Sequence, residues 1–327
     1  MKPFFSILVP VCNMVGKMQE CVDSILNQEF EDFEVIMVDD GSKDDSYNMI
    51  LEYENADKRF KAYKHDENKS LLAARYTGME HASGEYILFL DSDDYIEKDT
   101  LSSIYDYVKN TPNDVIRFGF RYEPSGVEEL PPETDDPLRF YMEGKMPPAI
   151  WKNCYSKKVI DRTLERTGSF YCNMGEDVYF AGILFSNADS FGVINKVFHH
   201  YVTGNGMSNS KTSASIEKIE RDMKSVGLSG DNLLKFIEKY KPSYMDYAKH
   251  AVRTMQRFVL LQNVAFEDDY TKIIERINIF NNDKMQAIYE WGCNKLLPAK
   301  ISKDIYESEE ELKGYEAPSL RAVLVED

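Results

Sequence analysis

The residues with the plainest chemical capacity in this chain are clustered carboxylates. Asp91-Ser92-Asp93 follows the apolar run YILFL. A single aspartate at such a place is ordinary turn chemistry. Two of them spaced i, i+2 just after a buried strand both face a ligand if the chain leaves the sheet there. Hard oxygen donors of this kind suit Mg²⁺ or Mn²⁺, which keep few protein ligands and take the rest from phosphate and water. Taken alone, the run is more simply a solvated acidic turn. Asp39-Asp40-Gly41-Ser42 ends a second apolar run, VIMV. Gly41 permits a tight exit from a strand, and Ser42 can cap the helix that follows. A carboxylate here can also accept hydrogen bonds from a base or a ribose, and the residues leave both readings open. Glu176-Asp177 are acids of the type that a helix N-terminus favours on its own account.

The elements that must position these acids show in the apolar periodicity. Residues 5–11 form a short β-rich run. Residues 15–28 follow a helical rhythm, with Met18, Val22, Ile25 and Leu26 on one face. A second strand covers residues 33–38. Ser42 with Asp45 then resembles a capping box, opening a helix with Tyr47, Ile50 and Leu51. A strand near residues 60–63 follows, then a helix from about Ser70 closed by Gly84 near its C′ position, then a strand at residues 85–90. Strands alternating with helices predict βαβ units and an α/β fold with a mostly parallel sheet flanked by helices. Such strands are buried on both faces, which explains the continuous runs ILV, VIMV and YILFL. Ligands bind outside the carboxyl ends of strands in such sheets. Three of those ends carry Pro10-Val11, Asp39-Asp40 and Asp91 to Asp93.

Residues 121–149 hold PSG, PPE and MPP among acidic residues and read as a long loop. Residues 150–202 return to a mixed pattern, and TGNGMSNSKTSAS reads as a mobile connection. From about Ile216, the segments SIEKIERDMKSV, YAKHAVRTMQRFVLL and YTKIIERINIF predict a C-terminal all-α appendage. The expected division is one domain at 1–210 and a helical domain at 211–327. A homodimer through these helices, and peripheral association with a membrane, are roles open to that appendage.

Composition narrows the classes of partner. Across 327 residues, 56 acidic against 39 basic side chains leave a net charge of −17. That argues against nucleic acid and against an electrostatic grip on anionic lipid, yet is compatible with a small anion held through a divalent cation. The five cysteines form no C-x-x-C pair, which speaks against a disulfide framework or a zinc ribbon and for a reducing, cytoplasmic setting. No apolar run approaches the roughly 18 residues of a membrane span. The start PFFSILVPVCNMV is interrupted by Pro10 and Asn13 and is expected to be a buried first strand rather than a signal peptide.

The stretches SILVPVCN, QEFEDFEVIMVDDGSKDDS, LLAARYTGMEHASGEYILFLDSDD, AIWKNCYSKKVI and GEDVYF occur in this order. Together they resemble glycosyltransferase family 2, closely over residues 4–110 and more loosely over 148–205. The resemblance implies a GT-A (Rossmann-like) fold, a nucleotide-diphospho-sugar donor, inversion at the anomeric carbon, and Mn²⁺ or Mg²⁺. Carried over by position, the main chain at Pro10-Val11, with Asn13, Asp39 and Asp40, would hold the nucleobase and ribose, Asp40 being the preferred uracil contact. Arg75 matches an arginine near the nucleotide. Asp91 and Ser92 would meet the ribose, and Asp93 with Asp91 the metal, while Asp94 shapes the turn. Asp177 in GEDVYF would be the general base for an acceptor hydroxyl, supported by Glu176. The acceptor implied is a growing saccharide, free or lipid-linked.

Trp151 could offer an aromatic face to a sugar, though tryptophan is more often a core residue. His199 and His200 end the strand-like FGVINKVFHH, and an imidazole there could reach a metal or simply be satisfied in place. The sequence departs from the family pattern at Cys12, where a tyrosine is usual, at Ser70, where a glycine is usual, at Tyr76 and at Cys154. No carboxylate is lost. The alternative is a non-catalytic sugar-nucleotide-binding module on the same fold, against which the intact Asp93 and Asp177 argue. A phospho-receiver domain does not account for the last 200 residues or for GEDVYF. A nucleotidyltransferase would want a Gly-rich basic loop where PVCNMVGK stands.

Overall fold

The structure, a computed structural model, describes residues 2–172, 174–203 and 216–264. Contacts divide the chain into two units. One comprises Met1–Asp135, Ala149–Tyr171 and Ile183–Asn209; the other comprises Asp136–Pro148, Cys172–Gly182 and Ser210–Asp327.

In the first unit, strands β1 (Phe5–Val11), β2 (Phe33–Asp39), β3 (Phe60–Lys64) and β4 (Tyr86–Phe89) pair in parallel, in the order β3-β2-β1-β4. Every residue of β1, β2 and β4 is buried, as strands covered on both faces must be. Beyond β4 the sheet continues through β8 (Asn153–Ser156), β6 (Val115–Glu123), β9 (Phe191–Val202) and β5 (Tyr95–Ile96), and β7 (Val127–Glu129) pairs with β6. Among the described residues this makes one nine-stranded sheet. Its parallel nucleus is extended by the antiparallel pairs β4–β8, β8–β6 and β9–β5. Helices α1 (Gln19–Leu26), α2 (Ser46–Ala56), α3 (Leu71–His81), α4 (Thr100–Asn110) and α6 (Lys157–Arg166) alternate with the strands.

Several local expectations are corrected. α1 starts later than its rhythm suggests, and Leu26 is 41% exposed while Met18, Val22 and Ile25 are buried. One residue turns a helix by about 100°, enough to carry Leu26 off the face that Ile25 completes. Ser42 and Asp45 form no capping box: α2 opens at Ser46, and Asp45 makes no side-chain capping bond. Gly84 is no left-handed cap for α3. A Cβ there would lie 2.6 Å from Ser6 N and 2.7 Å from Phe5 C, so the glycine permits a close crossing of backbones. Ser6 and Glu34 complete that crossing: Ser6 Oγ accepts the Gly84 N–H at 2.8 Å and donates to Glu34 Oε1 at 2.7 Å. Residues 121–149 are not a plain loop, since they contain β7 and α5 (Pro137–Met142).

The second unit gathers α5 with α8 (Ile216–Tyr240), a 3-10 turn at Pro242–Tyr244, and α9 (Met245–Val264). The start of α7 (Glu176–Asn187) belongs here too. Val226, Leu233 and Ile237 of α8, and Ala248, Val252 and Val259 of α9, are buried at helical spacing. Gly230 lets the two helices close, because a Cβ would lie 2.6 Å from Val252 Cγ1. No helix among the described residues is long and apolar enough to cross a membrane. The expected connection at 204–215 and the segment YTKIIERINIF, expected to be helical, lie outside the described residues.

Ser70, where the family has glycine, adopts φ 85° and ψ 157°. That region is essentially reserved for glycine, and a side chain held there costs about 1–3 kcal/mol. Ser70→Gly is therefore expected to raise the melting temperature, by roughly 2–4 °C per kcal/mol relieved. A scanning-calorimetry measurement showing a lower value would mean that the serine hydroxyl contributes more than the strain removes.

Candidate active site

The order β2-β1-β4 puts the acidic ends of β2 and β4 on either side of β1, roughly two strand spacings or about 10 Å apart. Val11 pairs with Asp39 across β1 and β2. Leu90 N–H donates to Leu8 O at 3.0 Å, so Asp91 leaves the sheet level with the end of β1. Three strand ends read from the sequence thus meet at one sheet edge.

On the β4 side, three carboxylates share one turn, with Asp94 N–H donating to Asp91 O at 3.0 Å. Arg75, on α3 and 2% exposed, donates from Nη2 to Asp91 Oδ1 at 3.1 Å. Ser92 is buried between the acids. Burial, then the charges of Asp94 and Asp91, push the Asp93 carboxyl up to about 6. Burial, then Asp91, push Asp94 up to about 8, against the Val202 N–H that donates to its Oδ1 at 2.8 Å. Asp94 Oδ2 lies 2.9 Å from His199 Nε2, and burial drives His199 down to about 3. Burial thus disfavours the charged form of both members of this pair.

His200 faces the other way: its Nδ1 is 3.0 Å from Glu123 Oε1 and its Nε2 2.9 Å from Glu97 Oε1, and Tyr95 stacks on its ring at 4.3 Å. Both histidines thus commit Nε2 to a carboxylate of the chain. Trp151 is 8% exposed and stacks on His199 at 4.2 Å and on Tyr201 at 5.4 Å. Its indole is packed within the sheet rather than presented as a platform.

On the β2 side, Asp39 is fully buried; its Oδ2 accepts the Ser42 N–H at 3.3 Å, and its Oδ1 has no hydrogen-bond partner among the described residues. Asp40 Oδ1 accepts the Lys69 N–H at 2.8 Å and meets His65 Nδ1 at 2.7 Å. Asn13, at φ 56°, joins the two loops: its N–H donates to Ser42 Oγ at 2.9 Å and its Oδ1 accepts the Lys43 N–H at 2.8 Å. Asparagine tolerates this left-handed backbone better than most residues. Ser42 therefore holds the neighbouring loop instead of capping a helix. His65 went unnoticed in the sequence. Its signal lies in register, for Asp39 pairs with Lys64 and the next residues on each strand, Asp40 and His65, become neighbours.

Glu176 and Asp177 occupy the first turn of α7, in the unit that holds α8 and α9. Gly175 precedes them at φ 83°, and a Cβ there would lie 2.6 Å from Met255 Sδ. No group of three or more His, Cys, Asp or Glu among the described residues forms a ready metal cage. Asp91 and Asp93 nevertheless fit a small divalent cation by chemistry. They are hard oxygen donors whose crowding raises Asp93, and Mg²⁺ or Mn²⁺ asks for only one or two carboxylates when a phosphate supplies the rest.

Comparison with known proteins adds the decisive observation: the sequence profile of glycosyl transferase family 2 matches residues 6–169. The chain belongs to glycosyl transferase family 2. A curated family relative, the uncharacterized glycosyltransferase EpsJ of Bacillus subtilis, is 30% identical over 174 residues, which is 50% of this chain and 50% of EpsJ. The chain spans about half the length of that relative. S. aureus TarS 1–349, solved in complex with UDP-GlcNAc, superimposes with a TM-score of 0.60 at 20% identity, covering 91% of this chain and 81% of that one. The mannosyltransferase PcManGT of Pyrobaculum calidifontis, solved with GDP-Man and Mn²⁺, gives a TM-score of 0.52 at 17% identity, covering 91% and 88%. These structures share the GT-A fold.

In the folded chain, Asp93 titrates near 6 against an ordinary value of 3.8. The folded state then holds the extra proton between those values, so stability falls as pH rises through that window. For metal-free protein, the melting temperature should drop from pH 4 to beyond 6, and Asp93→Asn should flatten the drop. An identical slope in the variant would mean that this acid is solvated.

Proposed function

We propose that this chain transfers a sugar from a UDP-sugar to a saccharide or lipid-linked saccharide, with inversion at the anomeric carbon. The observation that carries this reading is the acid-lined edge of β2, β1 and β4 in a family 2 chain, with buried Arg75 holding Asp91. The solved complexes of TarS with UDP-GlcNAc and of PcManGT with GDP-Man and Mn²⁺ support the donor class and the metal class.

Asp39, Asp40, Asn13 and the main chain at Pro10-Val11 bind the base and ribose. Asp39 Oδ1, buried without a partner among the described residues, is an acceptor ready for a donor hydroxyl or N–H. Asp91 and Ser92 meet the ribose, and Arg75 fixes the direction of the Asp91 carboxylate. Asp93 with Asp91 holds Mn²⁺ or Mg²⁺, which when bound neutralises charge growing on the departing diphosphate. Asp177 takes the proton from the acceptor hydroxyl as that oxygen attacks the anomeric carbon, and Glu176 orients it. These last two roles rest on the GEDVYF motif.

Two variants test the assignment. Asp93→Ala is expected to abolish the Mn²⁺-dependent part of UDP binding in calorimetry; unchanged affinity with Mn²⁺ present removes the metal role. Asp177→Asn is expected to keep UDP affinity and lose transfer by about 10²–10⁴-fold, the usual worth of a general base. Transfer at a near-normal rate would place the base elsewhere.

A further inference from the structure

Asp40 is supported more heavily than a turn requires. Its Oδ1 accepts the Lys69 N–H at 2.8 Å and meets His65 Nδ1 at 2.7 Å. With the carboxylate oxygen as the acceptor, Nδ1 carries a hydrogen and donates to the same oxygen. On the far side of the ring, His65 Nε2 lies 2.9 Å from Thr77 Oγ1, a hydroxyl able to donate to that nitrogen. Asp40 is 3% and His65 7% exposed, so water competes little for these bonds. The main chain is held as well. Asn68 Nδ2 donates to Asp40 O at 3.2 Å, and His65 N–H donates to Asp39 O at 2.8 Å. At Gly41, φ 66°, a Cβ would lie 2.5 Å from Asn68 N, so the two loops are in backbone contact. Two donors on one oxygen fix the plane of the carboxylate and give Oδ2 a set direction.

We propose that His65 is a positioning residue for nucleobase selection, acting through Asp40, with Thr77 holding its tautomer. The inference rests on the reading of Asp40 as the base contact. A fixed carboxylate oxygen rewards the N3–H of uracil and repels the bare N3 of cytosine. A carboxylate free to turn can instead meet the amino group of cytosine, and discrimination falls. His65 thus serves the choice of base rather than the strength of diphosphate binding.

The test is calorimetry of the full chain with Mn²⁺, titrating UDP and CDP separately. His65→Gln, whose amide nitrogen takes the place of Nε2, is expected to lower the UDP-over-CDP affinity ratio about tenfold, the scale of one hydrogen bond to a charged group. His65→Asn, whose amide nitrogen stands where Nδ1 stood, is expected to keep the ratio within about threefold. If UDP and CDP weaken equally in His65→Gln, the histidine is merely structural and the proposal falls. Should His65→Gln fail to fold, Thr77→Val reads the same ratio without touching the ring, and an unchanged ratio there overturns the proposal equally. Asp40→Asn separates the two levels. A ratio unmoved by it removes the base-contact reading and this inference together. A ratio that collapses in Asp40→Asn but survives His65→Gln removes only the positioning role.

Discussion

Carboxylates at the ends of buried strands repel one another and resist losing water, and the sheet edge of this chain is organised around that difficulty. Each acid of the β4 turn meets it differently. Asp91 is bound by the buried guanidinium of Arg75. Asp94 is raised by burial and bonded on both oxygens, to His199 Nε2 and to the Val202 N–H. Asp93, between them, carries the strain of both neighbours and of partial burial. Two of the three acids thus have compensating partners, and the middle one is left with a raised carboxyl. The surrounding packing follows from this arrangement. Trp151 covers His199, and β5 and β9 pair so that the tail of the turn is anchored to the far side of the sheet.

The β2 end solves a related problem by rigidity. The loops after β1 and β2 are bonded to each other through Asn13, Ser42 and Lys43. The loop after β3 reaches back to Asp40 through His65, Asn68 and Lys69. Such fixed acceptors lose little freedom when a ligand arrives, which is the advantage of preorganisation. Ser70 shows what that shape requires: the chain keeps a glycine-type backbone there even with a side chain in place.

Much of the site was legible because its parts are local. An apolar run followed by acids is visible over ten residues, and the signal occurs at both β2 and β4. The errors were also local in origin. Ser42 and Asp45 match a capping pattern, yet the hydroxyl of Ser42 is taken by Asn13, 29 residues away. Gly84 stands where a helix cap is expected, yet its need for no side chain comes from Ser6 on another strand. Trp151 has the right chemistry for a sugar platform, but only its neighbours on β9 decide that it is packed. Residues 121–149 lack strong periodicity because β7 has three residues and α5 six, too few to show a rhythm.

The linear chain already carries the alternation of strand and helix, the burial of β1, β2 and β4, the acids at the ends of β2 and β4, and membership of the family. Those properties depend on period and on short ordered motifs, which a linear chain displays directly. The tertiary structure decided which acid is neutralised by which partner. Arg75 lies 16 residues from Asp91, His65 25 from Asp40, and His199 105 from Asp94. The charge state and direction of a carboxylate are set by what lies within a few ångströms of it, and only strand order and register bring those partners there.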